Sequence, residues 1–283
     1  MATYLEKLFA KATNVAESTR KGYIGTLLRL NGKQPVKNLK YLDDYERIFA
    51  LMATKARNTQ KTMITPILKA LSLTGKLEGP LYKIYKARFD EIFEENNKIT
   101  ESNMKTPKQE ANWISQEDVE KKMAELLRKE PTSEQTMILA LYTYQAPRRN
   151  ADYMNMSVIH EMGDEEKMDD TRNYFDMTNH NFIFNDYKTK YGMGQQIIPI
   201  DIELYKILLD NLKADPREIL IPQKNMNHIT NVLNKIFSPK RIGSTMLRHI
   251  YLSSKYSRTV EERKKDAFQM GHGIKTQADY IKH

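Results

Sequence analysis

Cysteine is absent from this chain of 283 residues, and histidine is scarce. The absence of cysteine excludes disulfide bonds, thiol nucleophiles and zinc sites built on thiolates. The six histidines include no His-x-x-x-His pair or other close ligand spacing, which predicts that the chain has no metal site. They are His160, His180, His228, His249, His272 and His283. Any chemistry must therefore come from oxygen and nitrogen groups.

Long apolar runs are missing as well. None approaches the roughly 18 to 20 residues that a membrane span requires, and the N-terminus lacks the apolar core of a secretory signal. With 40% hydrophobic and 29% charged residues, the composition is that of a soluble globular protein, long enough for two domains. We expect an intracellular protein, whether in a bacterial cytoplasm, a viral factory or a nucleus.

The net charge of +9 is unevenly distributed. Lysine and arginine exceed aspartate and glutamate by 8 in residues 1–112 and by 6 in residues 238–283, whereas residues 113–237 carry a net −5. Two basic ends around an acidic middle favour a clamp that grips nucleic acid from two sides, through phosphate neutralisation and counterion release. Basic segments are also common on ordinary surfaces, so this pattern alone does not decide the function.

The periodicity of apolar residues predicts two domains of a mainly α fold with a small β-sheet or hairpin (α+β). Residues 1–100 indicate a bundle of four or five helices. Residues 101–112 are polar and contain Pro107, which is typical of an exposed linker. Residues 113–283 form the second domain. Its helices are predicted at residues 115–129, 132–146, 201–214, 226–237, 244–257 and 259–270, with a short piece around Tyr280.

The second domain also contains the only strand signals. Residues 181–187 and 195–200 are rich in β-branched and aromatic residues and flank the glycine-bearing segment 188–194, which predicts a hairpin with a lysine-rich tip. The acidic stretch 161–176 before it is interpreted as a solvated loop.

An ordered set of polar motifs runs through this domain. Arg149 is followed three residues later by Asp152, and Lys188 stands on the hairpin. Further along come Arg248-His249, then Gly271-His272, and Tyr280 three residues from the end. The order resembles that of the tyrosine recombinase (phage integrase) family, over residues 113–283. The helical bundle before it resembles the family's core-binding domain in length and position only.

The resemblance implies a role for each of these residues. Tyr280 is the nucleophile, Arg149 and Arg248 contact phosphate, Lys188 is the general acid with Lys190 as fallback, and His272 belongs to the Gly-His pair. Thr245 stands where the family usually places a histidine, three residues before its second arginine, and its hydroxyl can still donate one hydrogen bond. Asp152 and His249 are auxiliary residues. His249 is alternatively interpreted as a packed core histidine without a role in the reaction. Neighbouring basic residues are the candidates for DNA contacts: Arg148, Lys190, Lys240 and Arg241.

Physical chemistry supports the same set. A phosphodiester repels nucleophiles and has a poor leaving group, so a site without a metal needs cationic donors and a proton source. Arginines supply forked donors that match phosphate oxygens and stabilise the five-coordinate transition state. Lysine can protonate the leaving 5′ oxygen. A phenol has an unperturbed pKa of about 10, so nearby cations must help it ionise.

The expected function is therefore site-specific strand exchange on double-stranded DNA, in a mobile or viral element, by a homotetramer without cofactor, metal or ATP. A type IB topoisomerase would run the same first half-reaction, and a catalytically silent DNA-binding protein could use the same scaffold. With three residues after Tyr280, the tetramer would form by contacts other than a helix beyond the tyrosine, or the chain would be a shortened form.

Overall fold

The computed structural model describes residues 2–101, 104–160, 168–222, 225, 227–255, 260–273, 276–277 and 280. Within it the chain divides into two compact units, residues 1–102 and 103–283. Each has its own apolar core. No helix among the described residues is both long and apolar enough to cross a membrane.

The first unit is helical in its described part. Its elements are α1 (Tyr4–Ala10), α2 (Glu17–Leu30), a short 3-10 helix (Lys40–Asp43), α3 (Tyr45–Ala53), α4 (Arg57–Leu73) and α5 (Pro80–Glu101). Ile64, Ile67 and Leu71 share one face of α4 and are fully buried, in agreement with their helical spacing. Tyr85 on α5 lies in the same core and donates a hydrogen bond to the Leu42 carbonyl at 2.9 Å.

The second unit begins with a helix inside the predicted linker. This helix, α6 (Pro107–Asn112), starts at a capping box in which Thr106 and Gln109 satisfy each other's backbone amides. The polarity of the segment concealed this start signal, although Pro107 at the first helical position is also typical of one. The following helices are α7 (Gln116–Lys129), α8 (Glu134–Thr143) and the short α9 (Asn150–Tyr153).

A four-stranded mixed sheet follows. Its strands are β1 (Ser157–Ile159), β2 (Tyr174–Asp176), β3 (Asn181–Phe184) and β4 (Gln196–Pro199), in that spatial order. β1 and β2 are parallel, and the other neighbours are antiparallel, with Phe182 opposite Phe175 and Ile198. The predicted hairpin is thus β3–β4, and its tip contains a short helix, α10 (Lys190–Met193).

The interpretation of residues 161–176 as a solvated loop is wrong at its end. Tyr174, Phe175 and Asp176 form β2 and are buried, because the strand lies between two others. Two aromatic residues in an acidic stretch are too short a run to show a period-2 pattern. Residues 161–167 of the same stretch lie outside the described residues.

The remaining helices are α11 (Ile202–Ala214), α12 (His228–Ile236), α13 (Ser244–Ser254) and α14 (Val260–Gln269). They agree with the predicted segments to within about three residues, the usual uncertainty of helix ends. α13 is amphipathic in an unusual way, since its buried face includes Arg248 at 2% exposure among Leu247, Ile250 and Leu252. This arginine brings a charge into the interior beside the end of the described chain.

Candidate active site

Arg248 and Tyr280 are in direct contact. Nη1 of Arg248 donates a hydrogen bond to the Tyr280 hydroxyl at 2.8 Å, and its guanidinium carbon lies 4.3 Å from the centre of the tyrosine ring. Nε and Nη2 of Arg248 are buried and have no hydrogen-bond partner among the described residues. Arg248 therefore has two further charged donors near the phenol oxygen that no described group satisfies, and a guanidinium fork of this kind matches the oxygens of an anion.

Backbone contacts hold Tyr280 in this position. Nδ1 of His249 lies 2.7 Å from the Tyr280 carbonyl, so this nitrogen carries the hydrogen and donates it. The Tyr280 amide donates to the Gln277 carbonyl at 3.0 Å. The fully buried Gln277 side chain in turn donates to the Arg263 carbonyl on α14 at 2.7 Å. His249 is thus half-buried and contacts the backbone of Tyr280, and its auxiliary role in the reaction stays a prediction.

His272 packs against the ring of Tyr280. The two rings are stacked, with centroids 5.4 Å apart and an angle of 20° between their planes. Nδ1 of His272 faces the Gly273 carbonyl at 3.1 Å, which assigns the hydrogen to that nitrogen and leaves a lone pair on the buried Nε2. Nε2 has no partner within the described part of the chain.

The ionisation of His272 follows from its surroundings. Burial lowers the pKa of this histidine to about 4, and the positive charges of Arg248, Arg149 and Arg148 act in the same direction. Its bond to the Gly273 carbonyl acts the other way and is outweighed. At neutral pH the imidazole is neutral, so Nε2 is a hydrogen-bond acceptor beside the tyrosine.

Arg149 completes the cationic group. It caps the N-terminus of α9 and is half-buried, and its Nη1 donates to the Gly271 carbonyl at 3.2 Å. Burial lowers the pKa of Arg248, and the charge of Arg149 contributes to the same decrease, so the two guanidinium groups share one field. The structure therefore brings together Arg149, Arg248, His272 and Tyr280 from four separated positions in the sequence.

A buried ion pair lies within the first arginine motif. Oδ2 of Asp152 accepts a hydrogen bond from Nε of Arg148 at 2.9 Å, so Asp152, three residues after Arg149, pairs with Arg148. Arg148 is 1% exposed, which disfavours a direct contact with DNA, and its role as a DNA-binding residue stays a prediction. Arg148 lies just before the N-cap residue of α9, and its side chain turns inward beside Asp152, whereas Arg149 contacts the Gly271 carbonyl.

The hairpin tip is fastened to the same site. The hydroxyl of Thr189 donates to the Gly271 carbonyl, the same oxygen that accepts from Arg149. Lys188, directly before it, is exposed and makes no ion pair with any described residue. Lys190 instead pairs with Asp186 at 3.1 Å, and the hydrogen bond that it donates to this carboxylate raises the pKa of Lys190. A lysine held as a cation is a weaker proton donor, and the role of Lys188 as the acid stays a prediction.

Three further predicted residues have different surroundings. Thr245 is exposed in the first turn of α13, three residues before Arg248, and its side chain has no hydrogen bond to the described part of the protein. Nζ of Lys240 donates to the Trp113 carbonyl at 2.5 Å, and the amide of Arg241 donates to the Asn112 side chain at 2.6 Å. Lys240 and Arg241 therefore fasten the end of α6 to this unit. The Arg241 side chain is exposed, and its predicted contact with DNA stays a prediction.

The pattern of the sequence did not reveal Thr189, Gln196 and Gln277 as parts of the site. Glutamine and threonine are common surface residues, and no local spacing marks these three. Gln196 alternates with exposed neighbours along β4, so its burial could have been inferred only if the inward face of the strand were known. None of the described His, Asp and Glu side chains gather in groups of three or more that could hold a metal ion.

The arrangement was compared with known proteins. No model of a protein family and no curated protein matches the sequence. Among solved structures, the Tn1549 transposon integrase (residues 82–397), in complex with circular intermediate DNA, is similar with a TM-score of 0.61. The match is 12% identical and covers 98% of this chain and 94% of that chain. The chain has the tyrosine recombinase fold. The XerA recombinase also matches, at 14% identity over 99% of this chain and 93% of that chain, with a TM-score of 0.43.

The similarity of fold does not assign roles to the side chains around Tyr280. At 12% identity the similarity concerns the backbone, so the roles of individual side chains depend on the contacts described above. Those contacts place a tyrosine hydroxyl, two arginines, a neutral histidine and a loop with an exposed lysine around one position.

Proposed function

We propose that this protein is a site-specific DNA recombinase that cuts and rejoins strands through a 3′-phosphotyrosyl intermediate at Tyr280. One observation carries the proposal: the Tyr280 hydroxyl accepts a hydrogen bond from Arg248 while its ring is stacked on neutral His272. A tyrosine that served only to fill the core would not need a buried cation with two further unsatisfied donors beside its hydroxyl.

The chemical step follows from these groups. The Tyr280 oxygen attacks phosphorus, its proton passes to an acceptor, a bond forms between phosphorus and the tyrosine oxygen, and the bond from phosphorus to the 5′ oxygen breaks. Arg149 and Arg248 neutralise charge on the non-bridging oxygens, which is greatest in the five-coordinate transition state. Lys188 donates a proton to the leaving 5′ oxygen. Attack by another 5′ hydroxyl on the phosphotyrosine reverses the step, so no external energy source is required.

Double-stranded DNA is the proposed partner, and a homotetramer on two paired sites the proposed assembly. The fold neighbour with a TM-score of 0.61 was solved with DNA bound, and this supports the choice of ligand. The excess of positive charge in residues 1–112 and 238–283 supports it independently, since phosphate neutralisation is favoured by basic surfaces.

A trapping experiment tests the proposal. Suicide duplexes carrying a nick, taken from a broad pool of sequences, should form a covalent adduct with the wild-type protein that is visible on a denaturing gel. Tyr280→Phe should form none. Arg149→Ala and Arg248→Ala should lose adduct formation but bind DNA within about tenfold of wild type, because each loses one phosphate contact among many. Normal cleavage by either arginine variant would contradict the assignment.

One observation favours a second candidate, a catalytically silent DNA-binding protein. Thr245 occupies the first turn of α13 with an exposed side chain, so a histidine contact to phosphate is lacking there. DNA binding without an adduct on any sequence of the pool would support this alternative. Adduct formation together with relaxation of supercoiled plasmid by a monomeric protein would indicate a topoisomerase.

A further inference from the structure

Arg148 contacts four elements of the second unit. Nε donates to Asp152 on α9 at 2.9 Å, and Nη1 donates to the Gln196 side chain on β4 at 2.8 Å. Nη1 also reaches the Gln269 carbonyl at the end of α14 at 2.7 Å, while the guanidinium lies 3.7 Å from the centre of the Phe184 ring on β3. One buried group thus joins the helix of the first arginine motif, the hairpin and the helix before the Gly-His pair.

The turn that carries His272 is packed directly on this guanidinium. Gly271 has φ +68, and a Cβ at this position would lie 2.7 Å from Nη2 of Arg148. The carbonyl of Gly271 accepts from both Arg149 and Thr189, so it connects the turn to the arginine motif and to the hairpin tip. Any shift of Arg148 would therefore be transmitted to three segments that border the site.

The energetics of a buried ion pair suggest what this arrangement does. A buried pair of opposite charges loses much of its attraction to the cost of desolvation, and apolar residues of similar volume would often stabilise the protein as well. A guanidinium nevertheless directs its donors in one plane at fixed angles, which apolar packing cannot do. We therefore expect the Arg148–Asp152 pair to fix the positions of neighbouring groups more than to raise the free energy of unfolding.

We propose that Arg148 is a positioning residue, which aligns the Gly271–His272 turn and the hairpin tip bearing Lys188 with the two phosphate-binding arginines. It acts through Gly271 and Gln196 and does not touch DNA. The catalytic part of this inference depends on the proposed function, whereas the alignment itself is a property of the free protein.

The test variant is Arg148→Met combined with Asp152→Asn. The double change keeps similar volumes and avoids leaving a buried carboxylate without its partner. Lys206→Met with Glu203→Gln is the matched control, because it removes an exposed ion pair of 2.8 Å in the same unit. Gln196→Met is a second variant, which removes the bonds from β4 to Arg148 and to the Phe268 carbonyl and serves if the double variant does not fold.

Hydrogen exchange of the free protein provides the first measurement. The amides of Gly271 and His272 donate to the carbonyls of Phe268 and Ala267, and those of Gly192 and Gly194 donate within the hairpin tip. In the double variant these amides should exchange at least about tenfold faster, while amides of α8 keep their rates, because only the alignment is lost. Unchanged exchange at the turn and the tip would overturn the proposal.

Cleavage of two duplexes that differ in their leaving group provides the second measurement. On an ordinary duplex the double variant should form adduct roughly 100-fold more slowly, the size of effect that about 1 Å of misplacement produces. A duplex with sulfur in place of the bridging 5′ oxygen needs no acid, because a thiol with a pKa of about 8.5 leaves as the thiolate. On the sulfur-containing duplex, the rate of adduct formation by the double variant, relative to wild type, should be at least about tenfold higher than on the ordinary duplex. Lys188→Ala should show the same recovery, whereas Arg149→Ala should stay slow on both duplexes.

The outcomes separate the two proposals. A wild-type rate for the double variant on the ordinary duplex, or equal losses on both duplexes, would overturn the positioning role while the recombinase assignment stands. If the wild-type protein forms no adduct with either duplex, the proposed function fails, and the exchange measurement alone decides whether Arg148 aligns the turn.

Discussion

Gly271 occupies a position where both backbone and space exclude other residues. Its φ of +68 lies in the left-handed region, and Arg148 approaches where a Cβ would stand. We expect Gly271→Ala to lower the free energy of unfolding by at least about 2 kcal/mol, from left-handed strain plus displacement of a buried guanidinium. Chemical denaturation measures this change.

A matched glycine gives the control. Gly192 lies in α10 with open space where a Cβ would be, so Gly192→Ala should be neutral or stabilising by up to about 1 kcal/mol. Equal effects of the two substitutions on the free energy of unfolding would show that the packing of Gly271 on Arg148 does not explain the need for glycine at position 271.

The depressed pKa of His272 predicts a pH dependence of stability. The folded protein binds this proton only near pH 4, whereas the unfolded chain binds it near the ordinary value of 6.5. Between these values the unfolded state holds more protons, so this group makes stability fall as the pH decreases from 6.5 to 4, by at most about 1.4 kcal/mol per pH unit.

Comparing unfolding of wild type and His272→Gln across this range isolates the effect. The difference between them should be constant above pH about 7 and should shift in favour of the variant below it. A difference that does not change with pH would mean that His272 has the same pKa in the folded and the unfolded protein.

At the scale of elements, the hairpin tip contains two lysines in different surroundings. Lys188 is exposed and unpaired among described residues, whereas Lys190 is held by Asp186. We expect Lys188→Ala to slow adduct formation by about 100-fold, within the usual range for general acid catalysis. Lys190→Ala should slow it by less than about tenfold. Single-turnover cleavage of an ordinary duplex measures both, and the reverse ranking would make Lys190 the acid.

The elements also show where sequence patterns are strong. The long amphipathic helices of the second unit were predicted because a stripe of apolar residues repeats over three or more turns. β1 was not predicted and β2 was interpreted as loop, because each has three residues and their burial depends on neighbouring strands. A short buried strand has no periodicity of its own.

At the scale of the whole molecule, the two units have separate cores and very different charges. Residues 1–102 contain 18 lysines and arginines against 11 aspartates and glutamates, a net +7 of the total net charge of +9. A fragment of residues 104–283 should fold, retain an intact far-ultraviolet circular dichroism spectrum and bind DNA more weakly. The slope of log affinity against log salt should be shallower by at least about 1.8, the equivalent of two phosphate contacts. An unchanged slope would show that the first unit does not contact DNA.

The order of the chemical groups was determined by the sequence alone. Arg149, Lys188, Arg248, the Gly-His pair and Tyr280 are recognisable because their types and succession are local properties of the chain. The helical bundle, the β3–β4 hairpin and the mainly α fold with a small sheet were predicted for the same reason, from periodicity.

Only the tertiary structure decided which partner each group has. Two adjacent arginines are equivalent in the sequence, and it is the packing of α9, β3, β4 and α14 that buries Arg148 with Asp152 and leaves Arg149 beside Gly271. The same packing places His249, Gln277 and Thr189 where they hold the tyrosine and the hairpin tip. These choices depend on contacts between residues up to 122 positions apart, and no local pattern encodes such contacts.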